Sequence, residues 1–387
     1  MNFDFLSPVS EFVIAKNELN TPQSLGKKCK IHSKQNGLPD LEDIQIAILG
    51  VLENRNDVNY MAEQLNFDAV RTSLYQLFPG NWHTQLADLG DIKPGESVED
   101  TYFALKTAIS ILVEKQIIPL LIGGSQDLMY AVYRAFDTIT PMVNIVNVDT
   151  NFDLGDSNLP IKNNSYLGKV ILDKPYNLFN YSVIGYQTYF NSQEEIDLMD
   201  KLYFEAYRLG EITSNTQLVE PVMRDATIVG LDLKSVKASE VGRKQQYSPN
   251  GFSGQQICAI ARYAGISNKV RTFGIYEYKF APNEVTDMLM AQILWYFIEG
   301  VNCRIKDDSF SNLNDYQKYN VLVEDEELIF IKSIKTGRWW IEIPFLPDVN
   351  NKLKKHTLLP CMHQDYTDAS HGKIPERWYK AYKKNSF

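Results

Sequence analysis

The stretch 146–156, reading VNVDTNFDLGD, places Asp149, Asp153 and Asp156 close together and directly after an apolar run. Carboxylates spaced this way are the raw material of a divalent-metal site, where a metal-bound water can serve as the nucleophile of a hydrolysis. Midway between the first two stands Asn151, where an imidazole ligand would be expected. Asp232 closes a second apolar run, TIVGL, and Lys234 follows it on the same face of a strand of period two, so its ammonium is expected to turn inward rather than to solvent. Asp156 reads as a loop residue. For Asp149, Asp153 and Asp232, the plainest role is that of strand-end carboxylates capping the next turn. A single Mg or Ca ion and a dinuclear centre are the alternatives.

Residues so far apart in the chain need a scaffold that gathers them. The runs IQIAILGVL (44–52), IIPLLIGG (117–124), PMVNIVNVD (141–149), YSVIGY (181–186), ATIVGLDL (226–233) and KVRTFGIYE (269–277) are short, apolar and rich in β-branched residues, and read as buried strands. Between them lie helical patterns at 58–78, 98–116, 193–209, 251–265 and 284–300. Alternating strand and helix predict a parallel sheet covered on both faces, with its polar site outside the carboxyl ends of the strands. Asp149 and Asp232 both fall at such ends. Gly123 and Gly124 precede SQD and lack the Lys-Ser/Thr ending of a phosphate loop.

After Gly300 the texture changes to a polar, linker-like stretch, then EELIFIKSI and RWWIEIPF joined by KTG, a predicted hairpin with one of Trp339 and Trp340 buried and the other exposed. Residues 1–300 are read as one α/β domain and 301–387 as a C-terminal appendage. The net charge of -9 and pI near 5.2 exclude a phosphate-neutralising surface. The amino terminus lacks a basic and apolar leader and no apolar run is long enough to span a bilayer, so a cytoplasmic chain without membrane insertion is expected. Cys29, Cys258, Cys303 and Cys361 are scattered and read as reduced thiols rather than a zinc or disulfide set.

Several of these segments together resemble the ureohydrolase family of arginase, agmatinase and formimidoylglutamase, from about Ile44 to Gly300. DLGDI followed by a helix and IPLLIGGSQDL resembles the run into the family's GGDHS motif, NVDTNFDLGD its DAHxD motif, and VGLDLKSV its strand ending in DxD. YSPNGFSGQQI and FGIYEYKFAPNEVTDMLMAQILW resemble the two segments that follow. The resemblance implies a three-layer αβα fold with a mainly parallel sheet. It also implies a binuclear manganese site whose bridging hydroxide attacks a guanidinium or amidine carbon. Asp149, Asp153 and Asp232 match aspartate positions of that site. Gln126 and Asn151 stand at its histidine positions, Lys234 at its second DxD aspartate, and Ser125 at the Asp of GGDHS. The histidine expected after DAHxD is missing from NNSYLGK, and His32, His83, His356, His363 and His371 lie elsewhere in the sequence. Glu277 matches the glutamate that holds the substrate cation.

Three aspartates and one lysine sum to about -2, so two divalent ions would leave roughly +2 uncompensated, at several kcal/mol per buried ion. The reading is therefore a ureohydrolase homologue without catalytic residues, in which Lys234 takes a metal's place among Asp149, Asp153 and Asp232, with Gln126 and Asn151 adding amide hydrogen bonds. It would act as a scaffold for a protein partner or as a homo-oligomer, and the resemblance extends to chains encoded near gliding-motility and secretion genes in Bacteroidetes. The alternatives are an active manganese-dependent hydrolase of linear amidines and a sensor holding a small cationic ligand at Glu277. No cofactor is expected unless the family activity, and with it manganese, is retained.

Overall fold

The computed structural model describes residues 3–60, 62, 64–140, 142–156, 158–241, 248–279, 284–307, 310, 313–344 and 357–385. His356 and the FAPN run at 280–283 lie outside them. The main sheet contains β1 (Leu6–Ser7), β2 (Lys30–Ile31), β3 (Ile46–Val51), β4 (Leu86–Ile92), β5 (Ile118–Gly123), β6 (Val143–Val148), β7 (Leu178–Tyr186), β8 (Glu205–Arg208), β9 (Ile228–Asp232) and β10 (Thr272–Tyr276). Their order is β1-β4-β3-β5-β10-β9-β6-β7-β8, with β2 also on β4, and every pairing is parallel except β1 with β4.

Buried on both faces, the central strands are apolar throughout, and alternate residues feed opposite cores. Ile46, Ile48, Leu120 and Ile122 point into a core shared with helices Asp68–Gln76, Gly254–Ile266 and Glu284–Asn302. Ala47, Leu49, Val51 and Leu121 point into the other, shared with helices Val98–Glu114, Leu128–Arg134 and Tyr166–Leu172. Three layers result. Ser97 with Asp100, Ser192 with Glu195 and Ser253 with Gln256 form capping boxes that fix where three of the longer helices begin.

The six expected strands are all present and parallel. The helix expected over 58–78 is restricted to Asp68–Gln76, and 193–209 divides into helix Gln193–Lys201 and the edge strand β8. The stretch read as a linker after Gly300 contains a further strand, β11 (Tyr316–Val323). It joins β12 (Glu326–Ser333), β13 (Trp339–Ile343) and β14 (Thr357–Cys361) in a four-stranded antiparallel sheet, in which β12 and β13 form the expected hairpin. Both tryptophans are buried, contrary to expectation, because both faces of β13 are covered. Trp339 packs on Tyr319 and Tyr366, while Trp340 lies under the Arg224 guanidinium, 4.6 Å from its ring.

Helix Glu376–Asn385 returns to the main sheet. Arg377 meets buried Glu205 of β8 at 3.1 Å, and Lys380 donates to the Phe204 carbonyl at 3.0 Å. The exposed edge of β8 is thereby covered. Among the described residues no helix is long and apolar enough to cross a membrane.

Candidate functional site

Four neighbouring parallel strands, β5, β10, β9 and β6, end on one side of the sheet and bring the candidate residues together there. Gln126 lies just beyond β5, Glu277 just beyond β10, Asp232 ends β9 and Asp149 just follows β6. Gly124 allows the first of these turns: a Cβ there would run into the Glu53 carbonyl, against which the chain passes. The paired glycines thus serve close backbone packing and do not form a phosphate cradle. Ser125 N–H donates to that Glu53 carbonyl at 3.0 Å and Glu277 N–H donates to the Gly124 carbonyl at 2.7 Å. Glu277 sits at φ +63° and Asp153 at φ +55°, left-handed conformations that their surroundings must hold.

The side chains form one connected network. Gln126 Nε2 donates to Asp149 Oδ2 at 2.6 Å, and its backbone N–H to Glu277 Oε1 at 2.9 Å. Lys234 Nζ lies 2.8 Å from Glu277 Oε2 and 3.8 Å from Asp232 Oδ2, and its backbone N–H donates to Asp232 Oδ1 at 2.6 Å. Lys234 does turn inward, but from a 3-10 turn, Leu233–Ser235, that follows β9 rather than from a continuing strand. Its close partners are Glu277 and Asp232, whereas Asp149 and Asp153 act on it only as nearby charges.

Asn151 departs from expectation. Its backbone N–H caps Asp149 Oδ1 at 3.0 Å, but its side chain leaves the carboxylates and donates to the Phe190 carbonyl at 3.0 Å. Three groups that the sequence reading did not single out complete the network. Asn163 Nδ2 donates to Glu277 Oε1 at 2.9 Å and to Asp57 Oδ1 at 3.1 Å, and Lys279 bridges Asp57 and Glu277, 3.3 Å from the latter's Oε2. All three come from loops without a periodic signal, although NNSYLGK had marked the place where Asn163 stands.

The five carboxyl groups of Asp57, Asp149, Asp153, Asp232 and Glu277 face two ammonium groups, Lys234 and Lys279. Burial raises the pKa of Asp149, Asp153 and Asp232 above the usual carboxylate range, and the neighbouring Asp149 charge pushes Asp153 up further. The two neighbouring carboxyls titrate together, each holding its proton to higher pH than an isolated carboxylate would. Burial opposes the charge on Lys234, but Asp232 and Glu277 outweigh it and raise its pKa.

Beneath this layer Asn147 donates to the buried Tyr166 and Tyr181 hydroxyls. Asp156 is an exposed loop residue, as expected, accepting from Asn158. The described histidines bond elsewhere: His32 to the Leu89 carbonyl and His371 to the Thr367 carbonyl, with His363 against Trp339. Among the described residues no three His, Cys, Asp or Glu side chains are grouped to hold a metal ion.

The family model described as the arginase family matches residues 47–299, so the chain belongs to that family. Among solved structures, formiminoglutamase of Trypanosoma cruzi, solved with Mn2+, is 16% identical, with a TM-score of 0.59 over 69% of this chain and 96% of that one. Formimidoylglutamase from Bacillus subtilis is 16% identical, with a TM-score of 0.60 over 70% and 93%. The agmatine ureohydrolase of Thermoplasma volcanium is 17% identical, with a TM-score of 0.55 over 74% and 97%. At these identities the structures establish the shared fold. No curated protein matches the chain.

Proposed function

We propose that this arginase-family chain is a non-catalytic homologue that acts by binding a protein partner. One observation carries the non-catalytic half of the reading: the Lys234 ammonium stands among the site carboxylates, 2.8 Å from Glu277 and 3.8 Å from Asp232. A metal centre needs lone pairs converging on a cation. Here the imidazole positions hold Gln126 and Asn151, and Gln126 offers Asp149 an N–H donor. The residues do not fit the manganese centre of the relatives, because the chain's own ammonium already supplies positive charge to Asp232 and Glu277, and a divalent ion beside it would meet a like charge.

The sensor reading is weakened by the same geometry. Glu277 accepts from Gln126 and Asn163 and pairs with Lys234 and Lys279, so a guanidinium ligand would have to displace an internal ammonium.

The test is the metal content of the intact chain purified with manganese, together with turnover of arginine, agmatine and formiminoglutamate. The variant carrying Lys234→Asp, Gln126→His and Asn151→His serves as comparison. The wild type is expected to hold well under one manganese per chain and to release no product, while the variant gains metal. Wild-type protein with close to two manganese per chain, or with turnover, would overturn the proposal.

A further inference from the structure

The side chain of Asn151 has a destination outside the carboxylate network, and that destination is a surface feature. Its Nδ2 holds the Phe190 carbonyl, the last residue of a one-turn segment, Thr188–Phe190, beyond the carboxyl end of β7. Phe190 N–H donates to the Gln187 carbonyl at 2.9 Å. Buried Asn191 clamps the other side, donating to the Thr150 carbonyl at 3.0 Å and the Gln187 carbonyl at 2.8 Å, and accepting from Phe152 N–H at 2.8 Å. Arg208 Nη2 donates to Thr188 Oγ1 at 2.6 Å. The side chains this pinned turn displays are Tyr189 and Phe190, 65% and 45% exposed, edge to face with centroids 4.7 Å apart. Exposed aromatics on a mobile loop would be unremarkable. Held by this many bonds, they are pre-organised anchors.

Beside the turn lies a cavity of about 410 Å³ whose lining includes Gln187, Thr188, Arg208, Lys237, Asn250 and Gln256. Among the described residues no carboxylate lines it, in a chain of net charge -9, and neither Arg208 nor Lys237 takes part in an ion pair. Glu211 lines a different cavity, but its carboxylate accepts from the Arg208 backbone N–H and, with Asp200, acts on Tyr186 of this lining. Two cations whose side chains form no ion pair among the described residues, next to rigid aromatic anchors, make a surface complementary to carboxylates flanked by an apolar group.

We infer that this face, outside the carboxyl ends of β7 and β8, docks an acidic segment of a partner protein. Arg208 and Lys237 receive its carboxylates, and Tyr189 and Phe190 pack its apolar residue. A free small acid would fill the cavity, whose lining includes Tyr189, but would leave Phe190 idle, so an extended ligand fits better. The inference rests on the partner-binding reading above and assigns it a surface.

The test uses the full chain and a fluorescein-labelled peptide with an Asp-Glu-Leu-Asp-Glu core, against the same peptide with an Asn-Gln-Leu-Asn-Gln core, read by fluorescence polarisation. The acidic peptide is expected to bind at least about tenfold more tightly, a difference of about 1.4 kcal/mol. Arg208→Gln with Lys237→Gln should remove that preference. Tyr189→Ala with Phe190→Ala should weaken acidic-peptide binding about tenfold or more while leaving the melting temperature unchanged, since both rings are exposed. Equal binding of the two peptides, or acidic-peptide binding that survives the charge variant, would overturn the inference. Succinate displacing the peptide at equal concentration would reassign the cavity to small acids and also overturn it. The outcome is separable from that of the metal and turnover test: an inert chain that ignores the acidic peptide loses this face only, and an active one that binds the peptide loses only the non-catalytic reading.

Discussion

Replacing Lys234 with methionine keeps most of the side chain's length and removes its charge, leaving Glu277 and Asp232 to find compensation elsewhere. Deleting one partner of a buried ion pair costs about 3–5 kcal/mol. Two features reduce that here: the Lys234 side chain keeps 26% of its exposure, and Lys279 remains 3.3 Å from the same Glu277 oxygen. The expected cost is therefore about 2–3 kcal/mol near neutral pH, read from urea unfolding midpoints at unchanged m.

The pH dependence gives the sharper check. Asp149, Asp153 and Asp232 have folded pKa values raised by burial, so the folded state binds more protons than the unfolded chain, and their contribution to stability falls as pH rises from the usual carboxylate value through the raised ones. Without Lys234 the raised values climb further and the window widens. The gap between wild type and variant should accordingly be larger at about pH 8 than at about pH 5, where protonation removes the unpaired charge. Lys234 itself stays charged across that range, its pKa raised above the ordinary value, and loses its proton only in strong alkali. A cost below about 0.5 kcal/mol at both pH values, the size of a solvent-exposed pair, would refute an ammonium embedded in the carboxylate network.

Two further perturbations probe other buried charges. Glu205→Gln should cost about 2–4 kcal/mol, because Arg377 would lose its buried partner, and helix Glu376–Asn385 should exchange amide hydrogens faster and be cut sooner by protease. Burial pushes the Glu205 pKa up, but Arg377 and Lys384 outweigh it and hold it below the usual value, so this stabilisation is present at neutral pH and lost on acidification, and unchanged protection of the helix in the variant would count against it. Asp127 is fully buried, its pKa pushed up to about 6, with Tyr102 donating to it. Tyr102→Phe should raise that value further by removing a donor to the ionised form, as followed by carbon NMR of the carboxyl group, and an unchanged or lower value would be contrary to the argument.

The strands that the sequence disclosed are those whose residues are apolar on both faces. Two of those it concealed, β4 and β8, carry a buried charge answered from afar. In β4, LADLGDI is interrupted by Asp88, which lies in the interior because Arg71 Nε and Nη2 reach it at 2.9 and 3.2 Å and Tyr75 at 2.8 Å. In β8, Glu205 is buried against Arg377, on a helix at the far end of the chain. Neither pairing has a local period, so neither pattern reads as a strand. At the site, Gln126, Asp149, Asp232, Lys234 and Glu277 could be placed together because strand ends determine their position. Asp57, Asn163 and Lys279 could not, since loops carry them. The side chain of Asn151 escaped for a different reason: its strand-end position was legible, but its rotamer depends on a carbonyl supplied by the turn after β7.

The substitutions at Gln126, Asn151 and Lys234 share a chemical direction. In each case a group expected to offer electron pairs to a cation is replaced by one whose contact here is made through N–H: Gln126 to Asp149, Asn151 to the Phe190 carbonyl, and Lys234 to Glu277. On the proposed reading the site is inverted, with Gln126 and Lys234 directing N–H groups at carboxylates where the resemblance implies acceptors around a metal. Groups that satisfy one another in this way do not act additively. Lys234→Asp alone would add a carboxyl to an array already short of positive charge, with Gln126 still donating to Asp149 and Asn151 still turned outward, and it should protonate rather than bind manganese. The triple variant supplies the missing lone pairs together. Metal uptake by the single variant equal to that of the triple one would show that charge alone governs occupancy and that the direction of the hydrogen bonds does not.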